Sequence, residues 1–96
     1  MDAQSGDGPP EKPLIEYPAV YAFKVMGRQE HGFREYVLQL FRRLVGREIS
    51  LDSISEQPST GAKYVSVTVS VYLISEEQRR VIYEQLHKEK RVLYYL

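Results

Sequence analysis

The sequence predicts an α+β domain in which two helices cover one face of a four-stranded antiparallel sheet, and three observations carry that prediction. Phe33, Tyr36, Val37, Leu40, Phe41, Leu44 and Val45 are spaced i, i+3, i+4, i+7, i+8, i+11 and i+12, the continuous apolar stripe of an amphipathic helix. Tyr64 to Leu73 alternates strictly, with Val65, Val67, Val69, Val71 and Leu73 set against Tyr64, Ser66, Thr68, Ser70 and Tyr72. That is a strand with one dry face and one hydroxyl-rich face. The remaining patterned segments complete the order β-α-β-β-α-β, and 96 residues leave room for one core that all of these elements must share. Such an order is the ferredoxin-like split arrangement, with strands one and three in the centre and strands four and two at the edges.

Taken in order, residues 1–13, MDAQSGDGPPEKP, are too poor in apolar groups to offset the entropy of ordering, so a disordered tail is expected there and a single domain over 14–96. Ala19 to Met26, AVYAFKVM, reads as the first strand, and Gly27 as its end, where the chain turns toward the first helix through angles that a side chain would penalise. Tyr21, Phe23 and Val25 share the core phase. Lys24 is thereby aimed at the open face, among Ser66, Thr68 and Tyr64 of the neighbouring central strand. The first helix is expected from about Glu30 to a stop at Gly46. Ile49 to Ser55 alternates and then slips phase at Ile54, which reads as a bulged second strand, and Glu56 to Lys63, EQPSTGAK, as a turn. Ser75-Glu76-Glu77-Gln78 is a capping box opening a second helix to about Lys88, whose inward face is Ile82, Tyr83, Leu86 and the aliphatic stem of Arg79. Val92 to Leu96 closes the chain as a short last strand. Because Tyr94 and Tyr95 are adjacent, one of them must leave the core face.

Composition narrows the function. Basic and acidic residues both number 13, so a net charge of zero supplies no long-range attraction to nucleic acid or to an anionic membrane. The absence of cysteine removes disulfides, thiolate metal sites and iron-sulfur clusters and fits a cytoplasmic protein. There is no apolar run long enough to cross a membrane. An acylphosphatase needs an arginine in the first loop and an asparagine on a central strand; Arg28 has the right place, but the chain has no asparagine. His31 and His87 are too distant in sequence and too poorly accompanied for a metal site, and both read as surface residues. No serine has a glycine elbow or a base partner. Arg34, Arg42, Arg43 and Arg47 with Glu35 and Glu48 read as a solvated helix exterior. The expectation is a non-enzymatic protein that needs no cofactor.

Tyr17-Pro18, the run Phe23-Lys24-Val25-Met26-Gly27, the segment Ser59 to Val69 and the closing VLYYL together resemble the bacterial YbeD-like family, small proteins grouped as a domain of unknown function. The shared pattern is a proline ahead of an aromatic-Lys-Val-Met-Gly strand end, then a third strand carrying Tyr64, Ser66 and Val67. The resemblance implies a ferredoxin-like fold similar to the regulatory ACT domains, which bind small effectors at subunit interfaces, and it brings no catalytic residues. This chain departs from the pattern in its longer polar N-terminus and its helix entry, Gln29 to Gly32.

The leading expectation is therefore an ACT-like regulatory or interaction module. Its partner is a small effector, another protein or a second copy of the chain, met at the open sheet face or an edge strand. Lys24, Gly27, Arg28, Lys63, Tyr64 and Ser66 are the candidate binding residues. The alternative is weak single-stranded RNA binding through Tyr64, Tyr72, Lys24 and Lys63.

Overall fold

The computed structural model describes residues 15–96, so the expected tail over 1–13 lies outside the described residues. The elements are β1 (Ala19–Arg28), α1 (Phe33–Val45), β2 (Ile54–Pro58), β3 (Tyr64–Leu73), α2 (Glu76–Lys88) and β4 (Tyr94–Tyr95). They build one sheet of order β2-β3-β1-β4, and each neighbouring pair is antiparallel. This is the ferredoxin-like arrangement with β1 and β3 central. Phe23 and Val25 from β1, Val65 to Leu73 in alternation from β3, Phe33, Val37, Leu40 and Phe41 from α1, and Ile82 and Leu86 from α2 close a continuous apolar core. Leu38 is buried as well, which widens the α1 stripe beyond the predicted one. Removing such side chains from water supplies about 1.5 to 3 kcal/mol each and fixes both helices to the same face.

The boundaries differ from the sequence reading in three places. β1 does not end at Gly27 but runs through it to Arg28, with Gly27 opposite Val65 and Arg28 opposite Tyr64. The reversal toward α1 is made by His31 and Gly32, at φ of 50° and 62°, and Gly27 keeps an ordinary backbone. Gly27 is required for closeness instead. A Cβ there would stand 2.3 and 2.5 Å from two ring carbons of Phe33 and 2.7 Å from the carbonyl oxygen of Arg91. The first strand, the start of α1 and the approach to β4 converge on that one backbone position.

The second strand begins at Ile54, not Ile49. Ser50 accepts a hydrogen bond from the Asp52 amide and starts a single 3-10 turn, Leu51–Ser53, so the apparent phase slip at Ile54 is a turn followed by a strand and not a bulge. Glu56 to Pro58, predicted as a turn, pairs with Val67 to Val65. Pro58 is tolerated because β2 is an edge strand, where a missing N–H breaks no second ladder. β4 is two residues long, although Leu93 donates to Met26 and Leu96 exchanges bonds with Lys24 on either side of it. The α2 cap has the expected Ser75, which accepts from the Gln78 amide, but the Gln78 side chain reaches back to the Ile74 amide, one residue earlier than a capping box places it.

Candidate functional site

With both helices on one side, the other face of the sheet is left to solvent, and the register decides what stands on it. Arg28 faces Tyr64, Met26 faces Ser66, Lys24 faces Thr68, Ala22 faces Ser70 and Val20 faces Tyr72. Gln57 extends the Met26–Ser66 row onto β2, and Tyr94 extends it onto β4. A shallow depression of about 250 Å³ opens near one end of this face, lined by Lys24, Met26, Gln57, Pro58, Tyr64 and Ser66. Val20, Tyr64, Tyr72, Tyr94 and Leu96 are exposed on the same face, large side chains that the core does not use. Tyr94 is the adjacent tyrosine that leaves the core, and Tyr95 packs inward at 5.7 Å from the Tyr83 ring.

The charged strand positions of this face are basic, while Glu30 lies near Arg28 and Glu48 near Arg47 at its two ends. Lys24 and Arg28 project from β1, and no strand position of the face carries an acidic side chain. Each end of β3 holds an arginine on a tyrosine: the Arg28 guanidinium lies 5.9 Å from the Tyr64 ring centroid, and Arg47 lies 5.9 Å from that of Tyr72. Arg47 also donates to the Tyr72 carbonyl at 3.0 Å. The helix-covered side holds the paired charges, Arg42 with Glu48, Arg34 with Glu56, Arg79 with Glu76 and Arg80 with Glu77 and Glu84.

Two polar clusters on that covered side could be mistaken for catalytic groups. Tyr21 and Tyr83 share a hydrogen bond of 3.0 Å under Arg79, whose guanidinium lies 5.1 and 5.2 Å from their ring centroids, and Tyr17 donates to Glu76 at 2.6 Å. Tyr36 donates to Glu89, while Arg91 lies 4.8 Å from the Tyr36 ring and donates to the Glu30 carbonyl. Burial pushes the Tyr36 and Tyr83 phenols up, with the bonds to Glu89 and Tyr21 adding to it. The bond from Tyr36 holds Glu89 below its ordinary range against its own burial, and Gln85 adds to that. These three shifts move away from neutrality, as structural ties do, whereas the Tyr21 phenol is lowered, its burial outweighed by the bonds to Tyr83 and Arg79. Among the described residues no group of three or more His, Cys, Asp and Glu is placed to hold a metal ion. No described helix is long and apolar enough to cross a membrane.

A family model described as a protein of unknown function, DUF493, matches residues 12–96. The chain belongs to the DUF493 family. Curated relatives agree across most of their length. A UPF0250 protein of Leptothrix cholodnii is 34% identical over 80 residues, 83% of this chain and 87% of that one. The UPF0250 protein RSc0326 of Ralstonia nicotianae is 36% identical over 78 residues, 81% and 79% of the two chains. The YbeD-like resemblance in the sequence motifs is thereby confirmed. The solution structure of protein HP0495 from H. pylori superposes with a TM-score of 0.60 at 20% identity, over 90% of this chain and 89% of that one, and shows the same fold. None of these comparisons indicates an enzymatic family.

On this DUF493 chain, three of the six candidate residues meet in the depression: Lys24, Tyr64 and Ser66. Arg28 stands at its end, over Tyr64. Lys63 is exposed beyond β3, its carbonyl accepting from Gln29 at 2.9 Å, and does not line the depression. Gly27 is buried on the opposite face, against Phe33 and Arg91. Sequence reasoning missed Met26, Gln57 and Pro58. Met26 shares the phase of Lys24 and was within reach of the pleat argument, whereas Gln57 and Pro58 were lost when their segment was read as a turn.

Proposed function

We propose that this DUF493 protein is a non-catalytic interaction module of the ACT-like regulatory kind, which takes its partner on the open sheet face around Lys24, Met26, Tyr64 and Ser66. The observation that supports the reading is the face itself: a central-strand surface with exposed Val20, Tyr64, Tyr72, Tyr94 and Leu96 and a shallow depression, set away from both helices. Exposed aromatic and aliphatic side chains beside a few polar groups are the usual composition of a contact surface. None of these side chains belongs to the buried core cluster. A thermal-shift screen of amino acids and other small metabolites on wild-type protein and on Lys24→Ala tests the effector form of the reading, because a ligand that binds only the folded chain raises its midpoint. The expected result is a rise in the wild type that the variant reduces; a rise that is identical in Lys24→Ala contradicts a site on this face.

A further inference from the structure

We infer that the partner of the open face is an acidic segment of another protein, laid in extended form along β3. The inference rests on the preceding reading that this face is the binding surface, and adds the chemistry of what binds. Two cations project from β1 onto the face, and a third reaches it from the segment after α1. Arg28 stands at the Tyr64 end, Lys24 opposite Thr68, and Arg47 on Tyr72, which is opposite Val20. Arg28 and Lys24 are four residues apart on β1, about 13 Å along the backbone. Lys24 and Arg28 have no carboxylate within ion-pair distance among the described residues, and the same holds for Arg47.

That spacing discriminates between occupants. Cations rooted about 13 Å apart along β1 are matched in register by acidic side chains four residues apart on an extended chain. A second copy placed face to face would bring the cations of one copy against those of the other, and like charges across an interface are repulsive. Single-stranded RNA needs open rings for its bases. Of the tyrosines on this face, Tyr64 and Tyr72 already carry guanidiniums and Tyr94 alone is open, while the β1 positions of the face are Val20, Ala22, Lys24, Met26 and Arg28, with no aromatic among them. Arginine held on an aromatic ring keeps its planar fork available to a carboxylate.

Fluorescence anisotropy with a labelled extended peptide bearing glutamates four residues apart tests the proposal, run beside its lysine counterpart and an oligouridylate. The acidic peptide is expected to bind in a salt-dependent manner, K24E and R28E each to weaken it by about tenfold, and E84K on α2 to leave it unchanged. Binding that ignores K24E and R28E overturns the proposal. So does an oligouridylate that binds more tightly than the peptide and loses affinity in Tyr64→Ala. Amide-shift mapping separates the two levels of the account. Shifts confined to the open face with no charge dependence overturn the acidic partner alone, and shifts confined to the helices overturn the binding face as well.

Discussion

Gly27 and Lys24 lie three residues apart on β1 and therefore point to opposite sides of the sheet, one into a junction and one into solvent. At Gly27 the limiting quantity is space. Gly27→Ala would place a methyl group inside the Phe33 ring and against the Arg91 carbonyl, a backbone atom that cannot rotate away. We expect a loss of about 3 kcal/mol, read as a lower urea midpoint, the upper part of the range for an overpacked core. Lys24→Ala should leave that midpoint within about 0.5 kcal/mol, since the side chain has no described hydrogen-bond or ion-pair partner, and should change only binding. A large drop in stability for Lys24→Ala would mean that the lysine is part of the fold. The pleat alone placed Lys24 correctly from sequence. The role of Gly27 was not legible, because its reason lies in Phe33 and Arg91, brought to it by tertiary packing.

Among the elements, β3 and both helices were readable because each has a long run with one clear period. β2 was not, because its five residues include Pro58 and are followed by Ser, Thr and Gly, so turn chemistry masked an edge strand. The α2 cap is testable in isolation: Ser75→Ala removes the acceptor for the Gln78 amide and should cost about 1 kcal/mol in the same unfolding measurement. The tie between α1 and the segment after α2 has a pH signature. Glu89 titrates below its unfolded value because Tyr36 donates to it. Its contribution to stability is thus complete above the ordinary glutamate value of about 4.3, and is lost as pH falls through the depressed folded value. Unfolding midpoints measured across the acid range should show a shallower decline in Glu89→Gln than in the wild type, and an unchanged decline would remove Glu89 from the account. Tyr36→Phe leaves the carboxylate without its donor and should cost about 1 to 2 kcal/mol near neutral pH.

For the whole molecule, the informative property is where the charges are and not their sum. A formal charge of zero conceals a sheet face marked by lysine and arginine and a helical side on which acids and arginines pair. Composition cannot reveal such segregation. It needs the register, and the register needs the fold. The same geometry leaves one side of the central strands open to solvent, the side proposed above as the contact surface. A photo-crosslinking amino acid placed at Ser66, on the open face, and separately at Glu84, on α2, tests this most directly in cells that produce the protein. The account predicts discrete crosslinked adducts from position 66 that Lys24→Ala diminishes, and none from position 84. Adducts from position 84 with none from position 66 would contradict it.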